Sequence, residues 1–111
     1  MQKITFKIQG SEPDPYDVTF IKDNSNLFCT CTCKAGKNNT HCKHRLRILQ
    51  GNPEAIVGEN VSEVNTVASW LPGTQLDKAM LDYQNAELEF EIADKKRKKA
   101  LKVIGYVMNP Q

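Results

Sequence analysis

The two short motifs Cys31-Thr32-Cys33 and Cys42-Lys43-His44, eight residues apart, constrain this chain more than anything else in it. They offer three thiols and one imidazole, a complete tetrahedral donor set for zinc. A further cysteine, Cys29, sits just upstream in Cys29-Thr30-Cys31-Thr32-Cys33. A segment of about fifty residues cannot bury enough apolar surface to be stable by itself. Structural zinc supplies roughly 10–16 kcal/mol in small fingers. Disulfide bonds are the competing use of four cysteines. They suit a secreted chain, whereas these four crowd into residues 29–42, and Met1-Gln2-Lys3-Ile4-Thr5 lacks the apolar core of a signal peptide. The expectation is a cytoplasmic protein with reduced thiols holding one structural Zn2+.

The segment before the motifs alternates with period two. Ile4, Phe6 and Ile8 share one face of a strand, with Lys3, Thr5 and Lys7 on the other. Gly10-Ser11-Glu12-Pro13-Asp14-Pro15 breaks it. Tyr16, Val18 and Phe20 resume the pattern, Asp23-Asn24-Ser25-Asn26 is a turn by composition, and Leu27–Cys31 returns as the partner strand. An antiparallel hairpin therefore delivers Cys31 and Cys33 at its end. Residues 34–40 read as a loop. His41–Gln50 reads as a helix with Leu46 and Leu49 on one stripe, stopped by Gly51 and Pro53.

The rest is helical by pattern. Ser62 is the expected N-cap of a short helix with Val64, Val67, Ala68 and Leu71 on its inner face and Trp70 as a packing anchor; Pro72-Gly73 ends it. Thr74, with Asp77 three residues on, starts another. No proline occurs from Gln75 to Met108, and Ala79, Tyr83, Ala86, Phe90, Ala93, Ala100, Ile104 and Val107 recur in four-three spacing, interrupted by Arg97. Such a helix is about 50 Å long, so part of it is expected to pack against another surface. The fold class is α+β: residues 1–52 form a ββα zinc module with its preceding strands, and residues 53–111 a helical extension.

Extended strands turn residues i and i+2 to the same side, so Cys31 and Cys33 can grip one ion, and Cys42 and His44 sit where a helix begins. A register using Cys29 and Cys31 is also possible. Three thiolates and Zn2+ sum to a charge of −1. Lys34, Lys37, Lys43, Arg45 and Arg47 surround the motifs, and residues 24–53 contain no acid. Cations there favour the thiolate form.

Cys31-Thr-Cys33-Lys-Ala-Gly followed by Cys42-Lys-His44-Arg-Leu resembles the SWIM-type zinc finger over roughly residues 16–51. The resemblance implies a ββα fold and makes Cys31, Cys33, Cys42 and His44 the ligands, with Cys29 a neighbour. It also implies DNA binding or protein contacts, without choosing between them.

Hydrophobic residues at 40%, charged residues at 25% and a net charge of +2 describe ordinary soluble material. No apolar run approaches the roughly 18 residues of a membrane span. Cys29 and His41 read as a strand residue and a loop residue rather than a nucleophile and its base. With four ligands closing the metal and no other acid–base constellation, neither catalysis nor a small-molecule substrate is expected. Two functions remain. In the first, Lys34, Lys37, Lys43, Arg45 and Arg47, with the run Lys95-Lys96-Arg97-Lys98-Lys99, bind nucleic-acid phosphates. In the second, the long helix dimerises or docks on a partner protein. The acidic stretch before the basic run suits an antiparallel pair in which Glu87–Asp94 of one copy faces Lys95–Lys102 of another, and equally suits covering the finger's basic patch within one chain. A redox sensor built on Cys29, Cys31 and Cys33 is a third possibility.

Overall fold

A computed structural model describes residues 1–110. The period-two segments form β1 (Gln2–Ile8), β2 (Tyr16–Asp23) and β3 (Asn26–Cys31), an antiparallel sheet in the order β1-β2-β3. Phe6 pairs with Val18 and Ile4 with Phe20; on the other side Val18 pairs with Cys31 and Phe20 with Cys29. Directly opposed residues project to the same face. Phe6, Ile8, Val18, Phe20, Leu27 and Cys31 therefore share one face, and all are buried. Phe6 and Phe20 meet edge to face at 5.9 Å. At the β2–β3 turn Asn24 takes φ 54, a left-handed conformation that asparagine tolerates.

The covering layer comes from α2 (Lys43–Leu49) and α3 (Val64–Trp70). Ile48, Leu49, Val64 and Val67 are buried there. Ile48 thus takes the place on the inner stripe that the sequence gives to Leu46, which is half-buried. Two local expectations are corrected. Residues 34–37 are not loop but a single helical turn, α1 (Lys34–Lys37), because a cysteine caps it. Ser62 caps nothing: a 3-10 turn, Val61–Glu63, leads into α3 without a side-chain cap. That entry is fixed instead by Asn60, whose Nδ2 donates to the Thr5 carbonyl of β1 at 2.9 Å.

Both edges of the sheet are tied. Along β1, Gln9 N–H donates to the Ala55 carbonyl and Val57 N–H to the Lys7 carbonyl, each at 2.9 Å. Along β3, the Gln75 side chain stands in for a neighbouring strand. Leu27 N–H donates to Gln75 Oε1 at 3.0 Å and Gln75 Nε2 donates to the Leu27 carbonyl at 2.6 Å. Pairing these edge groups blunts a template for aggregation.

Thr74 opens α4 (Gln75–Met108) as the sequence predicts: Thr74 Oγ1 accepts from Asp77 N–H at 3.3 Å. One compact unit spans Met1–Asp77, so residues 53–77 belong with the finger; a second begins at Lys78. No residue of the 34-residue α4 is buried. Among the described residues no helix is long and apolar enough to cross a membrane.

Gln75→Ala leaves the Leu27 amide and carbonyl without their partner. It is expected to destabilise the Met1–Asp77 unit by about 1–2 kcal/mol, measured by denaturant unfolding of the zinc-loaded chain.

Candidate metal centre

The centre is built from two places that the fold brings together. Cys31 ends β3 on the core face. Beyond it the chain keeps its strand path for one more residue: Thr32 N–H donates to the Asp17 carbonyl at 3.1 Å, and Thr32 Oγ1 accepts from Asp17 N–H at 2.9 Å. That extension delivers Cys33. Cys42 and His44 arrive at the start of α2. The ligand atoms of Cys31, Cys33, Cys42 and His44 all lie within 4.8 Å of one another, and all four residues are buried. Cys31 Sγ and His44 Nδ1 are 3.8 Å apart. A tetrahedron with Zn–S bonds of about 2.3 Å has edges of about 3.8 Å, so three sulfurs and one nitrogen at this spacing fit zinc.

Two of the cysteines occupy helix N-caps. Cys33 caps α1, and its Sγ accepts from Gly36 N–H at 3.4 Å. Cys42 is the N-cap residue of α2, and its Sγ accepts from Arg45 Nε at 3.1 Å. Helix N-termini carry partial positive charge and favour anions. The sequence Cys33-Lys-Ala-Gly acquires its reason here. A Cβ on Gly36 would lie 2.1 Å from the Cys31 carbonyl oxygen, so only glycine lets the α1 turn close against β3.

Arg45 is one of the cations that the sequence places around the motifs. Its guanidinium is turned inward. Besides Cys42 Sγ it donates through Nη1 to the Cys29 carbonyl at 3.2 Å and through Nη2 to the Thr40 carbonyl. It puts a cation in direct contact with a centre whose formal charge with zinc is −1. Lys34, Lys37, Lys43 and Arg47 are exposed, as expected of surface cations.

His44 is held from the other side. The Tyr16 ring packs on it at 5.1 Å. A Cβ on Gly10 would lie 2.2 Å from the Tyr16 ring and 3.3 Å from His44 Nε2. Gly10 and Tyr16 therefore belong to the setting of the ligand, which their places in a loop and a strand gave no reason to foresee.

Protonation follows from these surroundings. Without metal, burial pushes the Cys31 thiol up to about 12. Burial also acts to raise Cys33, but the Gly36 amide and the thiols of Cys31 and Cys42 outweigh it and hold Cys33 below the usual thiol value. Burial, aided by Lys43 and Arg47, lowers His44 and keeps its imidazole neutral, the ligating form. Zinc must displace the Cys31 proton, so binding releases protons and affinity rises with pH.

Cys29 stands outside the group of four. It is half-buried beside Arg45; burial raises its thiol and Arg45 partly opposes that. His41 is exposed. The run Lys95–Lys99 lies in the second unit, where Arg97 pairs with Asp94 at 3.0 Å and Lys98 pairs with it at 3.1 Å.

Cys33→Ser is expected to lose zinc, whereas Cys29→Ser keeps one zinc per chain, as read by metal analysis of the purified variants. The reverse pattern would put Cys29 in the ligand set.

Comparison with known families matches residues 16–50 to the SWIM zinc finger. Neither the curated proteins nor the solved structures contain a match to the chain. The matched segment carries β2, β3, α1, α2 and all four ligands, and by its geometry and this match the chain contains a SWIM zinc finger with Cys31, Cys33, Cys42 and His44 positioned to bind one zinc ion.

Proposed function

We propose that the finger is a non-catalytic nucleic-acid-binding module whose phosphate contacts come from Lys34, Lys37, Lys43 and Arg47. The observation that carries this reading is the charge around the centre. These four side chains are exposed, and residues 24–53 hold no acid to oppose them. With Arg45 turned toward sulfur, they are the cations of residues 31–50 left for a ligand. Lys34 and Lys37 also line a cleft of about 370 Å3 with Tyr16, Thr32, Asn38 and Glu12. Cations beside an aromatic side chain suit a phosphate and its base, and Glu12 opposes the phosphate. The four protein ligands leave zinc no open position for a water, which supports a structural role. Lys95, Lys96 and Lys99 add a second, separate set of exposed cations; Arg97 and Lys98 already share Asp94.

One observation favours a second reading, an adaptor that docks through α4. That helix buries none of its residues, yet Tyr83, Phe90, Ile104 and Val107 lie along it.

Anisotropy titrations with short duplex and single-stranded DNA across a range of salt test the first reading. Binding is expected to weaken as salt rises. Lys43→Ala is expected to weaken it on every sequence and to reduce the salt slope by about 1. No binding even at low salt would refute it.

A further inference from the structure

We infer that the cleft beside Tyr16 and α1 is a site for one unpaired nucleotide, so that the finger takes single-stranded nucleic acid in preference to duplex. The inference rests on the nucleic-acid reading and names the form of the ligand.

The lining of the cleft holds what such a ligand needs. Lys34 and Lys37 come from α1, and Asn38 is its C-cap residue. Tyr16 begins β2, Thr32 follows β3, and Glu12 belongs to the loop before β2. The space of about 370 Å3 falls within the range of concave sites that enclose a small organic group. No ion pair among the described residues involves Lys34, Lys37 or Glu12, so their charges are not spent inside the fold.

These walls are tied in place by the surroundings of the metal centre. Gln9 Nε2 donates to the Glu12 carbonyl at 2.9 Å, and Gly10 of the same loop lies against the Tyr16 ring. Tyr16 in turn packs on His44. Thr32 is bonded to the Asp17 backbone on both sides, and the Cys33 cap holds α1. A site ordered in advance loses less freedom when it binds.

The shape and the acid together select an unpaired nucleotide. A base within a duplex is stacked and paired, and offers only its edge in a groove. An unpaired base can turn out of its strand, stack on an aromatic ring and form hydrogen bonds along its Watson–Crick edge. Glu12 fits the second case. A carboxylate beside two lysines weakens their hold on phosphate. It serves a base, because it accepts from the N–H groups that a duplex keeps paired. Lys43 and Arg47 line no part of the cleft and serve either form.

The test uses the full zinc-loaded chain and a labelled DNA oligonucleotide, single-stranded or annealed to its complement, at one low salt concentration. Anisotropy is expected to show the single strand bound about tenfold more tightly, the size of one base stacked on an aromatic side chain. Replacing both Lys34→Ala and Lys37→Ala should cost the single strand more than the duplex, whereas Lys43→Ala should cost both alike. Glu12→Ala should shrink the preference; a larger preference would mean that Glu12 only repels, and overturns the inference. A single strand carrying 5-iododeoxyuridine is expected to crosslink to Tyr16 on irradiation, which reads the contact without a substitution beside His44. Equal affinity for the two forms, or crosslinks that leave Tyr16 untouched, overturns the inference and leaves the nucleic-acid reading standing. No binding of either form refutes that reading, and the inference with it.

Discussion

Three thiolates must be held together at the edge of a very small core, and the rest of the Met1–Asp77 unit is arranged around that demand. Zinc supplies two positive charges and leaves one negative charge over. The fold answers it locally: Cys33 and Cys42 sit at the N-caps of two short helices, and Arg45 donates to Cys42 Sγ. The sheet and α2 each bring half of the ligand set, so the metal joins elements that share only a modest apolar layer of residues such as Val18, Leu27 and Ile48. Loss of the metal would leave buried thiols with little to hold them in place.

Much of this was legible in the sequence because it depends on short-range pattern. Period-two alternation marked Phe6, Val18 and Phe20 as core. Spacing and the family resemblance marked the four ligands. Thr74 at one end and the absence of proline through Met108 marked α4. What escaped depended on partners distant in sequence. The turn at Lys34–Lys37 is stabilised by a cysteine sulfur, which no propensity scale counts as a cap. Arg45 looks like its neighbours Lys43 and Arg47 until Cys29 and Thr40 are seen to receive it. Gly10 and Gly36 are required by atoms of His44, Tyr16 and Cys31 that only the folded chain brings near them. The entry into α3 is set by a bond to β1, fifty-five residues earlier.

The two compact units divide the chemistry. The finger exposes Lys34, Lys37, Lys43 and Arg47 around its metal, with Glu12 beside the first two. The helix beyond Lys78 is acidic first and basic second.

The central claim is that one zinc ion, held by Cys31, Cys33, Cys42 and His44, maintains the fold of the Met1–Asp77 unit. Amide hydrogen exchange of the full chain, with and without a strong zinc chelator, tests it most directly. Chelation is expected to abolish protection of the β2 and β3 amides, including those of Val18, Phe20 and Leu27, and readdition of one equivalent of zinc to restore it. Protection in β2 and β3 that survives complete removal of the metal would contradict the claim.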